Sequence, residues 1–396
     1  MIDVERLRAD TPGVEHVNHL NNAGGALMPT PVIETIQQYL DLEISIGAYE
    51  AFESKVDAAE AVYGSIAALI GAEPSEIALM DSATRAWDMI VYSLTHKPGD
   101  RILTTTTEYG SNWATYLQLA DRFGVEIVTV EDAPTGEVDL EALAREIDER
   151  ATLVTMNHMP TNGGVVNPAA DVGAIANAAG VPFLLDACQT VGQLPIDVGA
   201  IGCDFLTSTS RKFLRGPRGL GFAYVNATAG ELLDPVFVDN HAARVTDKSI
   251  EFRSDARKLE SWEKNWAMVM GLGVAADYAM KIGVDDIWQR VVALSESTRS
   301  GLLEIDGVQV HDRGKVQGAI VTFTVDGRNV IEVKELLHEG GINVSWSTIN
   351  SAPFDMRMRG IDSLVRASVH AYNSEEEIAA FLDTVRVIAG APIATA

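Results

Sequence analysis

Cysteine is scarce: the chain of 396 residues has two, Cys188 and Cys203. Two thiols cannot build a disulfide framework, and neither stands in a CxxC or Cys/His cluster of the kind that holds zinc, so no metal is expected. Basic residues are also few. Against 56 Asp and Glu there are 30 Lys and Arg, a formal charge of −26. That field repels phosphate backbones and anionic lipid, which argues against nucleic acid and membrane partners. Apolar runs of membrane-spanning length are missing. The first residues, MIDVERLRADTPG, are charged from residue 3 and lack the apolar core of a signal peptide. A reducing cytoplasm is the expected location. Repeats and low-complexity segments are absent too. With 47% hydrophobic and 22% charged residues, and with Gly and Pro spread along the chain, this is a folded protein of two or three domains.

What the chain does have is rhythm. Short β-branched runs alternate with helical patterns through the first two thirds: 77–80, 102–105, 126–130, 152–156, 182–186, 204–208 and 221–225 read as strands. Amphipathic stretches at 57–70, 83–94, 111–123, 139–147 and 168–179 read as the helices between them. This predicts an α/β fold, a mostly parallel seven-stranded sheet covered by helices. Beyond residue 259 two long helical stretches, 262–282 and 284–305, precede strands at 307–311, 319–325 and 364–369 and helices near 330–338 and 374–387. The predicted organisation is an N-terminal arm over 1–20, a large domain over 21–258 and a smaller α+β domain over 259–396.

Chemistry is concentrated in DFLTSTSRKFLRGPRGLGFAYV, 204–225. A strand ends in small hydroxyl residues, Arg211 and Lys212 follow, and a Gly-rich turn leads into the next strand. Ligand sites in open α/β sheets lie at the carboxyl ends of strands. A desolvated lysine there can form a Schiff base, although an isolated Arg-Lys pair is more often surface loop. DACQ, 186–189, changes that balance. An Asp directly after the apolar run PFLL is costly unless paired. It is either a helix cap or the partner of a pyridinium nitrogen, which would keep an electron-accepting ring protonated. Strand-terminal Asp186 followed 26 positions later by Lys212 is the spacing pyridoxal phosphate requires. A third fragment, MDSATRAWD, 80–88, passes from a strand through Ser82, Ala83 and Thr84 into a helix, whose start offers free N–H groups to an anion.

These segments resemble the class V aminotransferase family of pyridoxal-phosphate enzymes, fold type I, which includes cysteine desulfurases, isopenicillin N epimerase and the sulfoxide lyases of ergothioneine synthesis. The likeness runs from about residue 20 to 372. It implies that Lys212 carries the cofactor and later moves the Cα proton, that Asp186 pairs with the ring nitrogen, and that Gln189 donates to the phenolic oxygen. It implies phosphate contacts from Thr209 and Arg211 and from the turn Ser82–Thr84. Tyr109, in TEYGSNW, would stack on the ring where many relatives have His. Asn162 would contact cofactor or substrate, and Arg366, in LVRASVHAYNS, would hold the substrate α-carboxylate. A strand interrupted by a guanidinium makes sense if a planar anion docks there. A homodimer acting on a small amino acid is the implied assembly.

Two departures from the family pattern bear on the reaction. Desulfurases carry a catalytic Cys before this Arg, whereas 341–360 here, GINVSWSTINSAPFDMRMRG, has none. The segment 257–273 has Trp262, Glu263 and Lys264 in place of a small Gly-Thr element that reaches the neighbouring subunit's phosphate. Trp262, Trp266 and Trp346 could line a pocket or pack in the core. The expected activity is cleavage of a Cβ–S bond in a cysteine-derived amino acid, giving pyruvate and ammonia. Transamination and epimerisation share its early steps, with Tyr109 or His158 as candidate second acids. A desulfurase is disfavoured, as is a catalytically silent cofactor-binding module.

Overall fold

The computed structural model describes residues 2–390. Its centre is a seven-stranded sheet in the order Ile77–Met80, Gly221–Val225, Phe205–Thr209, Phe183–Asp186, Ala151–Asn157, Arg101–Thr105, Glu126–Val130. The last five run parallel, and Gly221–Val225 is antiparallel to both its neighbours. Most of these strands are buried at every position, which is why they read as unbroken apolar runs rather than as alternating ones. The seven expected strands all form, with ends within one residue of the expected ones. The helices between them are closed by local chemistry. Ser82 caps Ala83–Ser93, Asp139 caps Leu140–Glu146, and left-handed glycines at 71, 124 and 180 end three others.

Helix Trp266–Ile282 begins four residues later than its apolar pattern suggests, because Asn265 caps it and residues 256–259 form a separate 3-10 turn. It packs against Thr30–Ile46, a helix the periodicity did not reveal, and against Val56–Ile70. The C-terminal part is a four-stranded antiparallel sheet in the order Val308–Val310, Ile320–Val325, Ser363–Ser368, Ser345–Thr348. Helices Val284–Leu303, Val330–Glu339 and Glu375–Gly390 pack with it. Strand Ser345–Thr348 escapes the sequence reading because three of its four residues are hydroxyl-bearing.

The first residues tie the two parts together. Asn18–His19 pairs in parallel with Ile342–Asn343, Leu20 accepts from the Ser368 amide at 2.7 Å, and the Ala26 amide donates to the Arg211 carbonyl at 2.9 Å. Arg215, three residues after Lys212, is the one non-glycine residue with positive φ (61°) among those described. Its buried guanidinium donates to the Leu27 carbonyl and the Thr11 hydroxyl and lies over the Tyr372 ring, contacts that hold this costly backbone state.

Gly221 opens the strand after the lysine loop. A Cβ there would lie 2.5 Å from the Ala83 nitrogen and 2.6 Å from the Ser82 carbonyl carbon. The absence of a side chain lets the turn 82–84 sit directly against the lysine strands. Gly221→Ala is therefore expected to cost ~1–3 kcal/mol of stability and to lower cofactor retention, since backbone rather than a flexible side chain must yield. Denaturant unfolding and cofactor content of the purified variant check this.

Candidate active site

The carboxyl ends of the parallel strands converge on one cleft. It is lined by Ser82, Ala83, Thr84, Tyr109, Asn112, Asn157, Met159, Thr161, Asp186, Cys188, Gln189, Thr207, Thr209, Arg211 and Lys212. All of the expected site residues are there except Asn162 and Arg366. Larger hollows exist, but the one between Leu79, Phe237 and Lys264 contains neither Asp186 nor Lys212.

Asp186 is the last residue of its strand and is nearly buried. Its carboxylate accepts from the Cys188 amide at 2.9 Å and from Asn112 and Asn157, both at 3.2 Å. Asn157 is paired with Asp186 in strand register, so the two side chains meet by sheet geometry. Neither Asn112 nor Asn157 was singled out from the sequence. A polar residue ending an apolar strand was the available signal for Asn157.

Lys212 lies in the turn joining Phe205–Thr209 to Gly221–Val225. Burial pushes its pKa below the ordinary lysine value; Cys188 and Asp186 oppose this, while Arg211 and Arg366 reinforce it. Arg211 donates to the Thr209 hydroxyl at 3.1 Å. Opposite them, helix Ala83–Ser93 starts at the cleft with Ser82 as its cap, so its first N–H groups and positive dipole end face the same space. Tyr109 stands at the start of helix Gly110–Phe123 with its side chain over a third exposed.

Arg366 is 7% exposed, and no carboxylate is paired with it among the described residues. One nitrogen donates to the Thr161 carbonyl at 3.0 Å and hydroxyl at 2.6 Å, while Nε is buried without a partner. Burial lowers its pKa to about 10, with the Arg211 charge adding to the effect. Asn162 turns away from the cleft: its Nδ2 donates to Asp355 at 2.6 Å, and the residue that reaches the cleft is its neighbour Thr161. The cause is Asp355, a buried carboxylate that gathers Asn162, Arg313 and Arg359. His158 is buried away from the cleft lining, and burial pushes it down to about 4, so it stays neutral. Trp262 and Trp266 pack on Phe52, and Trp346 lies under the Lys334 ammonium; none lines the cleft.

The donor set suits pyridoxal phosphate: an amine for the aldehyde, a carboxylate for the ring nitrogen, and a helix start with Thr209 and Arg211 for the phosphate. Buried polar atoms at the cleft that lack a partner, Asn157 Oδ1 and Gln189 Oε1, mark a space built for a polar guest. Gln189 Nε2 is held only by a 3.3 Å bond to the Ala23 carbonyl.

Comparison with known proteins agrees. The family described as Aminotransferase class-V matches residues 18–381. The chain belongs to the class V aminotransferase family. A probable cysteine desulfurase of Methanothermobacter thermautotrophicus is 27% identical over 98% of both chains. The apo structure of a cysteine desulfurase from Thermococcus onnurineus superposes with a TM-score of 0.92 at 26% identity, covering 98% of each chain. A cystine C–S lyase, solved with its product cysteine persulfide, shares the fold with a TM-score of 0.86 at 23% identity, covering 95% of this chain and 99% of its own. As a class V enzyme the protein uses pyridoxal phosphate on an amino-acid substrate.

In this class V enzyme the lowered Lys212 pKa makes the amine free at lower pH than an ordinary lysine's. The rate at which apoenzyme captures the cofactor aldehyde should rise with pH through a midpoint below about 10.4, the model-peptide value. Stopped-flow reconstitution across pH, with Lys212→Ala giving no borohydride-stable adduct, checks it. Arg366→Met should leave cofactor content intact and lower kcat/KM for amino acids by roughly 100-fold, the loss of charge-assisted hydrogen bonds worth about 3 kcal/mol. Steady-state kinetics on holoenzyme decide.

Proposed function

We propose that the enzyme is a C–S β-lyase acting on a cysteine-derived thioether, disulfide or sulfoxide and releasing pyruvate and ammonia. The observation that carries this is the siting of the thiols. Residues 341–360 contain no cysteine. Cys203 is buried with its thiol pushed up to about 12 by burial. Cys188 sits in the cofactor cleft itself, its thiol raised by burial and by the Asp186 charge. Neither is a nucleophile free to carry sulfur away. A substrate whose sulfur departs as a stable leaving group needs no such carrier.

Pyridoxal phosphate, when bound, supplies the electron sink that stabilises a Cα carbanion. Arg366 takes the substrate carboxylate in a bidentate grip, and its fixed position on strand Ser363–Ser368 sets which Cα bond is presented. Lys212, whose neutral amine is favoured by burial, accepts the proton from Cα. Asp186, held by Asn112 and Asn157, would face the ring nitrogen, and Tyr109, at the opening of the cleft, would cover the ring.

The relatives named as probable cysteine desulfurases favour a second reading, desulfuration, in which sulfur passes to a thiol. The same assay separates the two. Incubation with cystine, cysteine sulfoxides, cysteine and common amino acids should give pyruvate from the sulfur substrates, and a Cys188→Ala, Cys203→Ala double variant should keep most of that activity. Alanine as the product from cysteine would support the desulfurase. Turnover dependent on α-ketoglutarate, or an inverted product, would replace the lyase with transamination or epimerisation. We also propose that the protein acts as a cytoplasmic homodimer.

A further inference from the structure

A second carboxyl lies behind Asp186. Glu108 is 1% exposed, and no cationic side chain is paired with it among the described residues. Its Oε1 accepts from the Tyr109 amide at 2.8 Å and Asn112 Nδ2 at 2.9 Å; its Oε2 accepts from the Thr104 hydroxyl at 2.8 Å and the Tyr116 hydroxyl at 2.9 Å. The Tyr109 amide and the Asn112 side-chain amide must donate, and the two hydroxyls are free to donate too, so the site can receive an ionised carboxylate. The same Asn112 nitrogen donates to Asp186 Oδ2 at 3.2 Å. One amide therefore bridges two buried carboxyls.

The titratable groups facing Glu108 are Asp186 and Tyr116, with Thr104, Asn112 and, beyond Tyr116, Thr155 as neutral neighbours. Burial and the Asp186 charge raise the Glu108 pKa, while bonds from Thr104, Asn112 and Tyr109 lower it. Lys212 acts electrostatically on Asp186, and a protonated ring facing Asp186 would favour the ionised form of the carboxyl behind it.

We propose that Glu108 is a positioning residue for Asp186: through the Asn112 amide it fixes the orientation of the Asp186 carboxylate and adds a second negative charge on the ring-nitrogen side of the cofactor. This rests on the reading that Asp186 faces that nitrogen. Glu108→Gln is the informative change. A Gln nitrogen at the Oε2 position meets two hydroxyls that can turn from donor to acceptor, Tyr116 passing its hydrogen to Thr155 at 2.7 Å. The hydrogen bonds survive and the charge is lost.

The test is a pH titration of the long-wavelength absorbance of the lysine-bound cofactor in wild-type holoenzyme, Glu108→Gln and Glu108→Asp, with thermal midpoints alongside. Removing the charge should lower the spectral midpoint by ~0.5–1 pH unit, because a nearby anion favours the protonated cofactor. It should also reduce kcat with little change in KM, and Glu108→Asp should recover most of the wild-type midpoint. A Glu108→Gln midpoint within ~0.2 pH unit of wild type, at equal cofactor content, would overturn the proposal. Asp186→Ala separates the two levels. If it too leaves the spectrum and its midpoint unchanged, the placement of the ring nitrogen fails. If only Glu108→Gln is silent, that placement stands and Glu108 is structural.

Discussion

Cations outnumber anions at one place in a protein that is otherwise strongly acidic. Arg211, Lys212 and Arg366 act on one another electrostatically around a cleft whose lining offers a single carboxylate, Asp186. Like charges crowded into a low-dielectric pocket are unfavourable unless a guest supplies the missing negative charge. A phosphate and a substrate carboxylate would supply it beside the buried Asp186. The parallel sheet brings these groups together: strand ends at 157, 186 and 209 are adjacent in the strand order, so residues far apart in sequence share one rim. Burial is the main cause of the lowered lysine pKa, and the charges of Arg211 and Arg366 add to it.

Much of this was legible beforehand. Asp186 was readable because it ends an apolar run, where a charged residue is costly without a purpose, and Lys212 because it follows the end of another strand at Thr209. The seven strands were readable because burial on both faces leaves continuous apolar segments. The lysine turn and the helix start at Ser82 could be placed because strand ends and caps have local signatures. The same locality explains what stayed hidden. Asn112 reaches Asp186 across 74 positions, which no spacing encodes, and the local Glu108–Asn112 bond gains its meaning only from that contact. Asn162 looked like a cleft residue from its loop, yet Asp355, nearly two hundred positions away, draws it off and leaves Thr161 in its place. Helix Thr30–Ile46 buries only part of one face, Val32, Ile36 and Tyr39, so its pattern is faint.

The cysteine-free segment 341–360 is packed against its surroundings rather than free. Helix Pro353–Met358 is fastened to the large domain: the Asp355 amide donates to the Thr106 carbonyl at 3.0 Å, and its carboxylate binds Asn162, Arg313 and Arg359. Beside it the Ser351 carbonyl accepts from the Gly110 amide at 3.0 Å, and a Cβ on Gly110 would meet the Asn350 carbonyl oxygen. Glycine at 110 lets that backbone approach the start of the Tyr109 helix.

The threading of residues 18–27 has a mechanical meaning. This stretch is joined at one end to the C-terminal part, through Ile342 and Ser368, and at the other to the carbonyl of Arg211, the residue before Lys212. The strand that carries Arg366 and the backbone that carries Lys212 are therefore spanned by one short thread, so a displacement of either would be felt by the other.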